Sequence, residues 1–375
     1  MREFTDGSTA IVRGALAAGC TFFAGYPITP ASPILMAMMR ELPKVGGVAI
    51  QAEDELAAIG MCIGAAMSGA RALTATSGPG ISLFSENIGL AIMGEVPLVI
   101  VDVQRLGPAT GGATTVGQGD VQFVRWGTSG GYPIIALAPS SIPECYSLTM
   151  KAFDLADRFR CPVFVLTDKE LNMTMNTVDV DEFRDTPVQE RISYRAENEK
   201  SAGPFAPYRY EPTDSVPPMA HFGDDVILRF TGSTHNEQAF ITKHPPTVDA
   251  LNRHLAAKID SHVDEIELVA VDLESGARTL LISYGITARA MREAVVRVRS
   301  VGQKVSALTV HSLWPVPERA IKSALEDVER VVVAELNLDQ YRREIERIAH
   351  GRQVLGLNRV DGELISPDQF VEMIR

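Results

Sequence analysis

Three short segments of the sequence carry side chains that could act on a small carboxylic acid. In the segment YPITP at 26–30, two prolines restrict the backbone on either side of the Thr29 hydroxyl. The segment EDE at 53–55 ends on Glu55, a carboxylate at the start of a predicted helix and a candidate for proton transfer. Arg105 ends an apolar run, where a guanidinium can clamp a substrate carboxylate through two parallel hydrogen bonds.

Each candidate also has a structural explanation, and the residues alone leave it open. Thr29 could cap the helix that follows it. The carboxylates at 53–55 could simply stabilise the N-terminus of a helix, by roughly 0.3–1 kcal/mol per carboxylate. Arg105 could form a surface ion pair. The loop SGPG at 77–80 could present backbone N–H groups to an anion. Neither GxGxxG nor GxxxxGKS/T occurs in the chain, which disfavours a simple dinucleotide-binding or nucleotide-hydrolysing fold.

The helix predicted after Glu55 is built largely from small residues. Glycine inside a helix costs about 1 kcal/mol relative to alanine, so several of them indicate a packing or interface requirement. Close packing inside the chain and contact with another subunit would each explain the small residues of this helix. The small residues are Ala57, Ala58, Gly60, Gly64, Ala65, Ala66, Gly69 and Ala70.

These segments follow predicted strands of an α/β domain with a doubly wound parallel sheet, at 1–171. Short apolar runs alternate with helical stretches there, which is typical of parallel βαβ units. Ligands of such sheets bind at the carboxyl ends of the strands, so the residues just after each strand are the candidates. The predicted strands are 20–24, 47–51, 71–76, 97–103, 133–137 and 162–167, and the first helix is predicted to begin with Ser8 as its N-cap.

The rest of the chain divides into an irregular segment and a second, smaller α/β domain. Residues 172–268 are predicted to be a linker or excursion with little periodicity, because an acidic stretch at 179–183 and a polar stretch at 195–203 precede five prolines between positions 204 and 218. Regular alternation returns in 269–375. Strands are predicted there at 279–284, 304–308 and 330–335, with helices at 288–298 and 317–325.

Composition indicates an ordinary folded protein. Hydrophobic residues make up 46% and charged residues 22% of the 375 residues, as in globular proteins generally. The chain has 35 basic and 47 acidic residues, a net charge of −12, and no basic run, so no nucleic-acid partner is expected. The uncharged run at 14–39 contains Pro27, Pro30 and Pro33 and is not expected to span a membrane.

The cysteines give no sign of a metal site in this chain. Isolated thiols are typical of a reducing compartment, and the N-terminus carries Glu3 and Asp6 where a signal peptide would be basic and then apolar. We therefore expect a cytoplasmic protein with neither zinc nor an iron–sulfur cluster bound by this chain. The four cysteines, all far apart, are Cys20, Cys62, Cys145 and Cys161.

Motifs in a fixed order identify a family. GYPITP, EDELAAIGMCIGAAMSGARALTATSGPG and EVPLVIVDVQR resemble the alpha subunit of the 2-oxoacid:ferredoxin oxidoreductases, and so do SYGITARAMREAV, LTVHSLWPVPE and VVVAELNLDQ in the last third. The resemblance covers most of the chain. It implies a thiamine diphosphate pyrimidine-binding domain at 1–171 and a transketolase C-terminal-like domain at 269–375.

The resemblance also implies roles for particular residues. Glu55 would hydrogen-bond N1′ of the thiamine pyrimidine and favour the imino tautomer, whose nitrogen takes the thiazolium C2 proton. Pro27, Ile28 and Thr29 would also contact the cofactor. Arg105 would pair with the 1-carboxylate of the substrate, and Thr29 would hydrogen-bond the substrate near the reacting carbon.

The chain carries only half of the cofactor site that the resemblance implies. No GDG motif followed by a distant asparagine, the thiamine enzymes' pattern for holding Mg²⁺ and the diphosphate, occurs in it. In the family a separate beta subunit supplies those ligands and a 4Fe–4S cluster. We therefore expect no catalysis by the chain alone, a dimer of alpha–beta heterodimers, and a gamma domain that is either a separate chain or dispensable.

The expected reaction is oxidative decarboxylation of a 2-oxoacid with coenzyme A, with electrons passed to ferredoxin. 2-Oxoglutarate is the first choice of substrate, although the loop at 107–114 reads GPATGGAT where many 2-oxoglutarate members read GPSTGLPT. Arg125 or Lys169 could bind a distal carboxylate, and the segment THNE at 234–237 is expected to be structural. Two alternatives stay open: a non-redox thiamine enzyme of the transketolase or dehydrogenase-E1 type, and a scaffold subunit.

Overall fold

The computed structural model describes residues 1–194 and 205–375 of the chain. The predicted polar stretch at 195–203 lies outside the described residues. In the order of the chain, the strands are β1 (Arg2–Thr5), β2 (Phe22–Gly25), β3 (Val48–Gln51), β4 (Ala72–Thr76), β5 (Leu98–Gln104), β6 (Ile135–Leu137), β7 (Pro162–Asp168), β8 (Asn176–Asp179), β9 (Val269–Asp272), β10 (Thr279–Ser283), β11 (Ser306–Val310), β12 (Ser312–Trp314), β13 (Arg330–Glu335) and β14 (Gln353–Asn358).

Helices separate most of these strands, as the alternating pattern predicts. Two short 3₁₀ helices also occur in the described chain, at Leu42–Val45 and Val180–Glu182. The helices are α1 (Gly7–Ala17), α2 (Ser32–Glu41), α3 (Glu55–Met67), α4 (Pro79–Leu83), α5 (Ser85–Met93), α6 (Val121–Trp126), α7 (Ile142–Phe159), α8 (Lys169–Met173), α9 (Pro245–Asp260), α10 (Val263–Ile266), α11 (Thr287–Ser300), α12 (Glu318–Ala324), α13 (Arg342–Ile348) and α14 (Pro367–Ile374).

The first sheet has seven strands in the order β12-β6-β7-β5-β4-β2-β3, parallel except for β12. Its centre strand β5 is buried along its whole length, which explains its unbroken apolar sequence. Successive side chains of β5 enter opposite cores: Val99 and Val101 pack with one group of helices, and Leu98 and Ile100 with the other. The predicted doubly wound α/β fold is confirmed.

The second sheet has five strands in the order β14-β13-β10-β11-β9. Four of them are parallel, and the edge strand β9 is antiparallel to β11. The strand predicted at 330–335 has the same bounds in the structure, and the others differ by a few residues at their ends. The second α/β unit is thus confirmed, with β9 and β14 as strands that periodicity did not indicate.

Two local predictions are wrong, and one strand was not predicted. The first helix is capped by Asp6, whose carboxylate accepts the Thr9 N–H at 2.7 Å, while the Ser8 hydroxyl donates to the Asn172 carbonyl. The segment predicted to lack periodicity contains the long helix α9. Strand β12 follows β11 after one residue but joins the first sheet, pairing with β6.

Among the described residues, no helix is both long enough and apolar enough to cross a membrane. All four cysteines are buried and free. Burial raises the pKa of the Cys20 and Cys161 thiols to about 12, so these two side chains stay protonated and behave as small apolar groups.

Candidate active site

The predicted site residues meet at the carboxyl edge of the first sheet. Thr29 follows β2, Glu55 follows β3 and Arg105 follows β5, and these strands lie on either side of β4 in the sheet. The Arg105 Nη1 donates a hydrogen bond to the Thr29 carbonyl at 2.5 Å. The strand-end rule therefore located the cluster correctly, and the geometry decides between the chemical and the structural explanation of each residue.

Thr29 does not cap the helix that follows it. Helix α2 begins at Ser32 with Ala31 at the cap position and no side-chain cap hydrogen bond. The capping explanation is therefore wrong, and the half-buried Thr29 hydroxyl has no hydrogen bond within the part of the chain that the structure describes. Of its neighbours, Pro27 is exposed at the edge, and Ile28 is half-buried against the core.

The three carboxylates at 53–55 divide their roles. Asp54 caps α3, since its carboxylate accepts the Ala57 N–H at 2.7 Å. Glu53 is exposed, whereas Glu55 is only 7% exposed. No hydrogen bond to the Glu55 carboxylate occurs among residues 1–194 and 205–375. Capping thus explains Asp54 and leaves the carboxylate of the largely buried residue Glu55 free to accept a hydrogen bond at the helix N-terminus.

The loop after β4 lies directly against Glu55. A Cβ at Gly80 would lie 3.0 Å from the Glu55 Oε1 and would overlap the Thr76 hydroxyl, so the position requires glycine. The Thr76 and Ser77 hydroxyls are buried and have no hydrogen-bond partner in the described chain. Gly78 has a φ of 43°, which favours glycine, and a Cβ there would touch the Arg105 Nε at 3.4 Å.

This arrangement fits the pyrimidine half of thiamine diphosphate. A buried carboxylate without a partner is costly unless something donates to it, and the protonated pyrimidine nitrogen is such a donor. The unpartnered hydroxyls of Thr76 and Ser77 offer further polar contacts beside it. Within the described residues, no group of three or more histidine, cysteine, aspartate or glutamate side chains could hold a metal ion.

Arg105 lines a cavity of about 520 Å³ between the two sheets. Arg105 is 5% exposed, and its Nε has no partner in the described chain. The loop that follows it is held in place by hydrogen bonds from the Leu106 N–H to Thr115 and from the Gly112 N–H to Leu106, at 2.9 and 2.8 Å. Arg105 is therefore a buried cation aimed at a cavity, and the surface-ion-pair explanation is wrong.

Neither predicted partner for a distal carboxylate lines this cavity. Arg125 donates to the carbonyls of Gly131 and Tyr132 and stacks on Trp126 at 3.9 Å, and burial lowers its pKa. Lys169 forms an ion pair with its neighbour in sequence, Glu170, at 2.6 Å. Both side chains are engaged elsewhere in the structure.

Two polar residues that the second α/β unit contributes to the cavity wall were missed from the sequence. Asn337 and Gln340 come from the loop after β13 in the second sheet. The Gln340 Nε2 donates to the Gly119 carbonyl at 2.6 Å, and the Asn337 Nδ2 donates to the Gln118 carbonyl at 2.7 Å. The strand-end rule, applied to 330–335, would have indicated both.

The small-residue helix α3 presents its glycines outward. A Cβ at Gly60 or Gly64 would meet nothing within 4 Å. Two large apolar side chains on the same face, Leu56 and Met61, are 47% and 39% exposed. Internal packing therefore does not explain these two glycines.

Comparison with known proteins points to one family. Residues 13–253 match the family described as pyruvate flavodoxin/ferredoxin oxidoreductase, thiamine diphosphate-binding, and residues 277–370 match pyruvate:ferredoxin oxidoreductase core domain II. The chain is 40% identical to the 2-oxoglutarate synthase subunit KorA of Methanothermobacter thermautotrophicus, over 99% of this chain and 97% of that relative. It is 35% identical to the ketoisovalerate oxidoreductase subunit VorB of the same organism, over 100% and 97%.

A solved structure is similar along the whole chain. It is the 2-oxoglutarate:ferredoxin oxidoreductase from Magnetococcus marinus with 2-oxoglutarate, coenzyme A and succinyl-CoA bound, with a TM-score of 0.92 and 30% sequence identity. The match covers 100% of this chain and 64% of that one, so this chain spans about two thirds of that subunit. On these matches, the chain belongs to the 2-oxoacid:ferredoxin oxidoreductase family, among its alpha subunits.

Proposed function

We propose that this chain is the alpha subunit of an enzyme that oxidatively decarboxylates a 2-oxoacid, 2-oxoglutarate by preference, in the cytoplasm. The balanced reaction converts 2-oxoglutarate, coenzyme A and two oxidised ferredoxins into succinyl-CoA, CO₂, a proton and two reduced ferredoxins. The observation that carries the proposal is that two buried residues lie at one sheet edge: Glu55, whose carboxylate has no hydrogen bond in the described chain, and Arg105, whose Nε has none.

The residues of this chain would bind the pyrimidine of the cofactor, hold a proton on it, and bind and orient the substrate. Bound thiamine diphosphate supplies the carbanion that attacks the substrate ketone. Glu55 would hold a proton at the pyrimidine N1′, while Pro27 and Ile28 would line the pyrimidine. Arg105 would bind the 1-carboxylate, and the Thr29 hydroxyl would orient the substrate beside it.

The remaining parts of the site are proposed to come from a beta subunit. That subunit would hold Mg²⁺, the diphosphate and a 4Fe–4S cluster, and ferredoxin would be the acceptor. The exposed face of α3, with Gly60, Gly64, Leu56 and Met61, starts at Glu55 and is therefore the proposed contact with it. A dimer of such heterodimers would be the working enzyme.

The choice of 2-oxoglutarate rests on the relatives and not on a cation in the cavity. The relatives at 39–40% identity are named 2-oxoglutarate synthase subunits, while the ketoisovalerate subunit is 35% identical. In the cavity wall, Asn337 uses both amide hydrogens on Gln118 and Tyr284, whereas in the described chain Gln340 donates only one, to the Gly119 carbonyl. We propose that the other amide N–H of Gln340 binds the distal carboxylate in place of a cation.

The test is anaerobic co-purification with the beta subunit, followed by viologen reduction with a panel of 2-oxoacids, thiamine diphosphate and coenzyme A. The proposal predicts coenzyme A-dependent reduction that is fastest with 2-oxoglutarate. Reduction with another 2-oxoacid only would correct the substrate. If a complex with intact clusters fails to reduce viologen with every 2-oxoacid of the panel, the result would favour the non-redox thiamine enzyme or the scaffold.

A further inference from the structure

Gln118 is a buried amide that joins the first sheet region to the second α/β unit. It is 0% exposed. Its Oε1 accepts the Leu336 N–H at 3.1 Å and the Thr287 hydroxyl at 3.3 Å, and its Nε2 donates to the Tyr284 carbonyl at 3.4 Å. A buried amide is costly without such partners, so these contacts favour one position of the second unit against Gln118.

The backbone of Gln118 is bound to the same loop of the second unit. Its N–H donates to the Leu336 carbonyl at 3.0 Å, and its carbonyl accepts from the Asn337 Nδ2 at 2.7 Å. Leu336 and Asn337 both line the Arg105 cavity, whereas Gln118 itself does not. Gln118 therefore ties two residues of the cavity wall to the first sheet region without lining the cavity.

The residues on either side of Gln118 lie against the backbone of Arg105. A Cβ at Gly117 would be 3.0 Å from the Arg105 carbonyl carbon, so the two backbones are in close contact. The Asp120 N–H donates to the Oε1 of Gln104, the residue before Arg105, at 3.1 Å. The backbone of Arg105 is therefore packed against the segment that Gln118 ties to the second unit.

The position of this backbone matters for carboxylate binding. A guanidinium makes two parallel hydrogen bonds to a carboxylate only in one orientation. The Thr29 carbonyl holds the far end of the Arg105 side chain through Nη1. The near end is held by the backbone, and a shift of about 1 Å in a binding group can cost as much as about 100-fold in activity.

We propose that Gln118 is a positioning residue, which fixes the Arg105 backbone against the second α/β unit and thereby sets the orientation of the guanidinium. The proposal rests on the assignment of Arg105 as the residue that binds the 1-carboxylate. Because Gln118 acts through Arg105, its loss weakens substrate binding more than it slows the chemical step.

Gln118→Met keeps the approximate volume of the side chain and removes its three hydrogen bonds. In the assembled complex, the KM for 2-oxoglutarate is expected to rise about tenfold, while kcat changes less than about twofold. Thr287→Val removes the partner of one of these hydrogen bonds and is expected to raise the KM about twofold. The double variant is expected to have the KM of Gln118→Met alone, because the second change removes a contact that is already lost.

Arg292→Met is the control for contacts between the two units. Arg292 lies on α11 and donates to the Ser140 hydroxyl after β6, so its contact lies outside the segment that carries Arg105. This variant is expected to leave the KM and kcat unchanged. An equal rise of the KM in Arg292→Met and Gln118→Met would show that any loosening between the units weakens binding, and it would overturn the role of Gln118.

The experiment measures KM and kcat for 2-oxoglutarate, together with amide hydrogen exchange of residues 105–117, in the same assembled complexes. Exchange in this segment is expected to be faster in Gln118→Met and unchanged in Arg292→Met. An unchanged KM or unchanged exchange in Gln118→Met would overturn the proposal. If Gln118→Met does not assemble, an unchanged KM and exchange in Thr287→Val overturn it instead. If the wild-type complex turns over no 2-oxoacid, the proposed function fails, and the exchange still decides whether Gln118 holds this segment.

Discussion

At the scale of single residues, the candidate functional side chains differ from the structural ones in their hydrogen bonds. The candidates are on buried or half-buried residues and have polar atoms without a partner in the described chain. Asp54 and Glu55 are adjacent carboxylates, yet only Asp54 caps the helix. Arg125 is half-buried and Arg105 is buried, yet of these two only Arg105 lines the cavity. Sequence reasoning singled out Thr29, Glu55 and Arg105 as candidates because each lies within a few residues of the end of a strand of regular pattern.

Replacing Arg105 by lysine tests its role as a planar clamp. Lysine keeps the charge but cannot make two parallel hydrogen bonds, so the KM of the complex for 2-oxoglutarate is expected to rise at least about tenfold with a smaller change in kcat. Arg125→Lys is the matched control, because its guanidinium points away from this cavity. An equal rise of KM in both variants would contradict the assignment.

At the scale of elements, the prediction of strands and helices was accurate where the hydrophobic periodicity was regular. It was inaccurate where a contact with a distant segment determines the structure. The strand at 330–335 follows from its own sequence. Strand β12 has three residues, and its place beside β6 depends on a pairing with a segment about 175 residues away.

Helix α9 is held to the first sheet by a buried charge network that the sequence did not indicate. The Glu95 Oε2 accepts from the Lys258 Nζ at 2.8 Å and lies 3.1 Å from the His254 Nε2. Arg160 donates to the Glu95 carbonyl and to the Pro207 and Pro217 carbonyls. The segment without regular periodicity is therefore tied to the first sheet by charges at the amino ends of β5 and β7.

Lys258→Met is expected to lower the free energy of unfolding by about 3–5 kcal/mol, because it leaves the Glu95 carboxylate buried without its partner. Glu95→Gln added to Lys258→Met should recover part of the loss. Urea titration measures both. A loss below about 1 kcal/mol in the single variant would show that the network contributes little.

The same network predicts a pH dependence of stability. Burial would raise the pKa of Glu95, but the charges of Lys258, Arg160 and His254 outweigh burial and hold it well below its ordinary value. A carboxyl with a depressed pKa stabilises the fold above its unfolded pKa, near 4.5. The difference in stability between wild type and Glu95→Gln should therefore shrink as the pH falls below this value.

At the scale of the whole molecule, the proposed active site is shared with a partner subunit, and helix α3 offers an exposed face for that partner. The helix that begins at Glu55 continues as an exposed face with open glycines. Substitution of Gly60 by tryptophan improves helix propensity, so the chain itself should fold as before. The bulk should block the beta subunit, and co-purification with it should be lost.

Val301→Trp is the matched control for this surface, because Val301 is exposed on the second α/β unit. It should leave assembly intact. Assembly of the Gly60→Trp chain with an unchanged yield of complex would show that the beta subunit binds elsewhere.

The most direct test of the account compares Glu55→Gln with Glu53→Gln in the assembled complex. The measurement is the rate of viologen reduction driven by 2-oxoglutarate and coenzyme A. The account predicts a loss of at least about 100-fold in Glu55→Gln, since an amide cannot hold the N1′ proton, and an unchanged rate in Glu53→Gln, whose side chain is exposed. Equal rates in the two variants would contradict the assignment of Glu55, and with it the claim that this sheet edge is the thiamine half of the active site.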